Sequence, residues 1–207
     1  RRTGLRQAKV LERLNKEAGA TSISLIAIHD YDIPTTFTEQ ALDLANAAKA
    51  APLGKREDLR DVALVTIDGA DARDFDDAVF AEPDPDKNNP GGWHLIVAIA
   101  DVAWYVRPGD ALDRGAYERS NSVYFPNRVV PMLPEALSNG WCSLVPHEER
   151  PCMAAHMWIS ADGQLIRHRF VRGLMQSHAR LTYEQVQAAR DGDADEHTGP
   201  LTDLVIA

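Results

Sequence analysis

Residues 62–67, VALVTI, form an apolar run, and the ten positions 68–77 that follow hold five aspartates: Asp68, Asp71, Asp74, Asp76 and Asp77, with only Arg73 among them to balance the charge. No other stretch restricts the fold as strongly. Carboxylates this close repel one another, and they stay ionised at neutral pH only if a positive partner joins them. The preceding run reads as a buried strand that carries Asp68 to its end. Gly69 and the small Ala70 and Ala72 permit a sharp path after it. In an extended segment Asp74 and Asp76 project to one side and Asp77 to the other. A curved loop is needed to gather these three with Asp68 around one point.

Acidic oxygen donors without His or Cys match Mg²⁺, with Mn²⁺ as a substitute, rather than zinc. Magnesium keeps several waters and takes one or two protein carboxylates. Four carboxylates therefore suffice for two ions, an arrangement that activates a water and stabilises a leaving oxygen in phosphoryl transfer. Three other readings compete. An EF-hand loop started at Asp74 fails, because its fifth and sixth positions are Ala78 and Val79 rather than an acid and a glycine. DFDDA fits the D-x-D pattern of aspartyl-phosphate hydrolases, but that pattern belongs at the end of an apolar strand and ADAR precedes it here. A plain solvated acidic loop is the third.

The formal charge of −9 argues against a bulk field that draws nucleic acid. Basic residues nevertheless gather over Arg1–Lys16 and again at Arg167, Arg169, Arg172 and Arg180, and each group reads first as a solvated face. Two cysteines, Cys142 and Cys152, make no disulfide framework and read as reduced thiols of a cytoplasmic protein. His147 lies between them without completing a zinc spacing. There is no apolar run of membrane-spanning length, and the N-terminus shows no charged-then-apolar leader pattern. The start at Arg1 and the apolar segment LTDLVIA at the end predict a piece of a longer chain.

Along the chain, TSISLIAIHD predicts a strand through Ile23, Leu25, Ile26 and Ile28. A helix should follow, capped by Thr36 with Glu39, burying Phe37, Ala41, Leu42, Leu44, Ala45 and Ala48, and stopped by Pro52. LGKREDLRD reads as a charged connector, with the main boundary near residue 55. VALVTI, DAVFAE (77–82) and WHLIVAIA (93–100) read as strands, the last of them buried, and PDPDKNNPGG (83–92) as a turn. Asp110 caps a helix to about Arg119, and 122–133 is extended. MAAHMWIS and QLIRHRFV pair across Asp162-Gly163, and Thr182 with Gln185 starts a last helix. Trp93, Trp104, Trp141 and Trp158 are assigned to the core. The class is mixed α/β (α+β).

LVTIDGADARDFDDAVF, the stretch from VAIADVAWYV to HEERPCM, and SHARLTYEQV resemble the catalytic (RNB) domain of the ribonuclease II / ribonuclease R exoribonucleases over roughly residues 60–187. The DGADARDFDD form is closer to the ribonuclease R branch. The resemblance implies a mixed or antiparallel sheet with flanking helices over 55–207, truncated. It implies that 1–54 hold a helical linker and a remnant of an OB or cold-shock-type domain. It implies processive Mg²⁺-assisted hydrolysis of single-stranded RNA from its 3′ end, with no DNA or membrane partner. Asp68, Asp74, Asp76 and Asp77 match the family's active-site carboxylates: Asp68 and Asp77 would hold one ion, Asp74 and Asp76 would complete a second, and Asp76 would be the most sensitive. Tyr124 matches a tyrosine that packs on terminal nucleotides. Read without the resemblance, Tyr124 is a core residue. Arg73 either contacts phosphate or neutralises the carboxylates. Asn121 and Trp141 depart from the expected pattern, and the family's downstream clamp, arginine and S1-type domain would lie past residue 207. The competing class is a non-catalytic RNA-binding relative, which would be expected to have lost one of the four aspartates.

Overall fold

The computed structural model describes residues 20–201. Its elements run Ala20–Asp30 (α1), Glu39–Asn46 (α2), Glu57–Leu59 (β1), Val65–Asp68 (β2), Asp77–Pro83 (β3), Trp93–Ala100 (β4), Ala111–Arg119 (α3), Val123–Phe125 (β5), Arg128–Val130 (β6), Glu149–Ile159 (β7), Leu165–Gln176 (β8), Ala179–Thr182 (β9) and Tyr183–Arg190 (α4). Seven strands form one sheet in the order β1-β8-β7-β4-β3-β2-β9, and β5-β6 is a separate hairpin. The centre is antiparallel, while β1 on β8 and β2 on β9 are parallel edges. The mixed α/β class is as the sequence implied.

One face of this sheet carries the core. Ala78, Ile96, Ala98, Ala100, Cys152 and Ala154 alternate inward along β3, β4 and β7, and pack with Leu59, Leu64, Leu144 and Met175. Gly173 on β8 lets β1 close over them: a Cβ there would sit 2.7 Å from Leu59 Cδ1 and 2.9 Å from Cys152 Sγ. The intervening residues Leu95, Val97, Ile99, Met153, Ala155 and Met157 stay half-buried or exposed. WHLIVAIA is therefore buried on one face only, a narrower burial than its composition suggested, because an antiparallel strand can leave its other face wet.

A second cluster joins Ala41 and Ala45 of α2, Leu112 of α3, and Leu133, Leu137 and Cys142 around a π-helical turn at Ala136–Trp141; Val102 touches both clusters. Between the two, Arg56 donates to Asp101 at 2.8 Å with both side chains buried, donates to the Gly173 carbonyl at 3.3 Å, and lies 5.0 Å over the Trp104 ring.

Several sequence expectations change. TSISLIAIHD is helical, not extended: Ser24 and Ile28, four apart, are buried while Ile23 and Ile26 face solvent, so the isoleucines follow a helical stripe rather than an alternation. Thr38, not Thr36, caps α2 by accepting from the Ala41 amide, and the helix ends at Asn46, well before Pro52. Leu42 and Leu44 point outward. The charged connector contains a strand, β1, because its neighbour is supplied from residues 173–175. None of the four tryptophans is fully buried. Asp110, the 162–163 hairpin and the Thr182–Gln185 capping box stand where expected. The basic opening and residues 202–207 of the final apolar segment lie outside the described residues.

Candidate active site

The acidic residues occupy the turn between neighbouring antiparallel strands. Val65 of β2 pairs with Val79 of β3; β2 ends at Asp68 and β3 begins at Asp77, so the turn joins the two. The chain between them is held by its backbone. Ser143, wholly buried, donates its hydroxyl to the Arg73 carbonyl (3.2 Å) and accepts from the Phe75 amide (3.0 Å). Leu144 N–H donates to the Phe75 carbonyl at 2.8 Å, and Ala100 N–H to that of Asp76 at 2.9 Å. Phe75 packs against the core. Successive residues of an extended chain point oppositely, so seating Phe75 inward turns its neighbours Asp74 and Asp76 away from the core. A single apolar residue orients two acids.

Their charges act on one another. Asp68 is held above the ordinary carboxylate range, first by partial burial and then by repulsion from Asp77 and Asp74, with Arg180 opposing. Asp76 is also raised, by partial desolvation and by Asp74, Asp77 and Asp68. Repulsion, the lesser part of its shift, is what a bound cation would relieve. Among the described residues, no three carboxylate, imidazole or thiolate groups come together closely enough as placed to enclose an ion. The donor set, all oxygen and mutually repelling, suits a hard divalent cation, which would require the carboxylates to draw closer together.

Tyr124, on β5, is 63% exposed and donates its hydroxyl to Asp74 Oδ2 at 2.6 Å. That bond leads the causes that push its phenol up to about 12. It is therefore not a core tyrosine. Arg73 is exposed, and among the described residues its guanidinium makes no ion pair. Arg180 is the cation that acts on Asp68, and its Nη2 donates to the carbonyls of Gly69 (2.8 Å) and Ala70 (3.0 Å). Sequence reasoning placed Arg180 only in a basic stretch and did not single out Ser143. SHARLTYEQV was the sole signal for the first, and a lone serine carries none. Cys142 and Cys152 are free, buried thiols, each pushed up to about 12 by burial.

Fold and acidic turn together define a class. Residues 56–205 match the RNB domain family, and the chain belongs to that family. It is 49% identical to ribonuclease R of Vibrio parahaemolyticus over 191 residues, which is 90% of this chain and 22% of that protein. Mycoplasma genitalium RNase R, solved in complex with double-stranded RNA, superposes with a TM-score of 0.77 at 30% identity, over 84% of this chain and 31% of that one. Yeast Ssd1, a pseudonuclease, shares the fold at 19% identity and a TM-score of 0.59, over 72% of this chain and 18% of that one. The chain spans about a quarter of the length of the curated relatives it matches.

Proposed function

We propose that the intact protein is a 3′-to-5′ exoribonuclease that hydrolyses single-stranded RNA to nucleoside 5′-monophosphates, and that this chain supplies its carboxylate centre. One observation carries the reading: Asp68, Asp74, Asp76 and Asp77 all lie on the connection from β2 to β3, and Asp68 and Asp76 are raised first by burial and then by their neighbours' charge. The fold alone does not decide it, since a pseudonuclease has a similar one. The four retained aspartates favour catalysis over a purely RNA-binding relative.

Asp68 with Asp77 would hold one Mg²⁺ (or Mn²⁺), and Asp74 with Asp76 would complete the site. Bound there, the metal supplies a polarised water and stabilisation for the leaving oxygen. The chain's own residues hold and orient. Phe75 and Ser143 fix the direction of Asp74 and Asp76. Tyr124 offers an exposed ring beside Asp74 on which a base of any sequence can stack. Arg73 has a guanidinium available for a phosphate. RNA binding fits the relatives, one of which was solved with RNA. We place residues 1–54 at the end of an upstream RNA-binding region, and the protein, with its two free thiols, in the cytoplasm.

The test uses the intact protein, 5′-labelled single-stranded RNA and Mg²⁺, beside Asp76→Asn. Stepwise shortening from the 3′ end with release of 5′-monophosphates, abolished by EDTA and by the substitution, is expected. RNA bound and left whole by the unsubstituted protein would sink the enzyme reading.

A further inference from the structure

Arg180 lies on β9 level with Thr66 of β2, one strand away from the point where the acidic turn begins. It touches that turn at two places. Its Nη2 donates to the Gly69 and Ala70 carbonyls, and its guanidinium lies 5.6 Å from the centre of the Phe75 ring. Gly69 O also accepts from Ala72 N–H at 3.1 Å, closing the tight bend. The clamp therefore spans the segment from just after Asp68 to the residue between Asp74 and Asp76. Among the described residues Arg180 Nε is buried without a hydrogen-bond partner, and a buried N–H left unpaired is destabilising.

We infer that Arg180 is a positioning residue that fixes the bend of the aspartate turn, so that Asp68 and the Asp74–Asp77 group face one another. The cation-binding half of this inference rests on the function proposed above; the conformational half does not. Two roles for Arg180 predict opposite signs. As a mere counter-charge near Asp68 it competes with a metal ion, so removing it would tighten divalent-cation binding. As a clamp, it holds ligands that would otherwise have to be ordered by the ion, so removing it weakens binding.

Arg180→Met and Arg180→Lys in the intact protein separate the two. Mn²⁺ affinity is measured by titration, and amide hydrogen exchange is followed at residues 70–76. With the clamp, Arg180→Met weakens Mn²⁺ binding by about tenfold and exchange in the turn speeds up by about tenfold, while β4 and β7 keep their protection. Lys, which keeps the charge without the planar fork, falls between Met and the original in both readouts. Tighter Mn²⁺ binding in Met with Lys unchanged, or an unaltered turn, overturns the inference. If Met does not fold, a Lys variant matching the original in both measurements overturns it as well. No Mn²⁺ bound by the unsubstituted protein defeats the proposed cation site, and hydrogen exchange then decides the positioning role alone.

Discussion

Two acidic places in this molecule differ in how their charge is met. Asp101 is buried with its own cation, Arg56, at 2.8 Å, and the guanidinium has a carbonyl and an indole for its remaining surfaces. The aspartate turn carries four carboxylates between the end of β2 and the start of β3, and Arg180, the cation that acts on Asp68, spends its hydrogen bonds on backbone carbonyls. The first place is closed and complete. In the second, burial and then mutual repulsion hold Asp68 and Asp76 above the ordinary carboxylate range, and protonation or a bound cation would relieve the repulsion. Perturbed carboxylates of the second kind cluster at functional sites, and the contrast is what supports the proposed role of the aspartate turn without reference to any relative.

The largest expected effect breaks the closed site. Asp101→Ala leaves Arg56 buried and unpaired and should cost about 3–5 kcal/mol, read as a shift in urea midpoint; Asp68→Ala in the same assay should lose little or gain. A comparable loss for both would erase the distinction. Next comes Ser143→Ala, which removes a buried hydroxyl serving two backbone groups of the turn and should cost about 1–3 kcal/mol.

Asp76→Asn has the opposite sign. Asp68 and Asp76 bind protons more tightly folded than unfolded. Their contribution to stability is therefore fully present below the ordinary carboxylate pKa and lost as pH rises through the raised folded values. Replacing Asp76 should stabilise the cation-free protein at neutral pH, by no more than about 0.5 kcal/mol because solvent screens an exposed group, and the gain should vanish in acid. Thermal unfolding across pH checks this. A gain that persists in acid would show that repulsion is not its source.

The same contrast explains what the sequence could show. The acidic turn was legible because its cause is local: an apolar strand, small residues, then acids at fixed spacing. The 149–176 hairpin and the capping box of α4 were legible for the same reason. Arg56 and Asp101 are 45 residues apart, and nothing near either announces the other. Strand β1 was hidden in a charged stretch because its hydrogen bonds come from β8, more than a hundred residues on. The α1 segment misled because isoleucines favour strands locally, while burial at Ser24 and Ile28 follows a helix. Arg180 and Ser143 act through backbone atoms of a distant turn, contacts that no side-chain pattern encodes.

The smallest expected change in stability is at Tyr124, which sits between the two kinds of site: exposed, yet bonded to one of the crowded acids. Tyr124→Phe removes the bond to Asp74 and keeps the ring, and at a position this exposed the fold should change by less than about 0.5 kcal/mol. Its effect on RNA distinguishes what the residue is for. If the ring stacks on bases, Phe should bind single-stranded RNA nearly as well as Tyr, while Tyr124→Ala should lose ~1–3 kcal/mol, measured by fluorescence anisotropy in Ca²⁺ or EDTA to prevent hydrolysis. If Phe loses as much as Ala, the hydroxyl is the part that matters, and Tyr124 acts by holding Asp74 in place rather than by touching the nucleic acid.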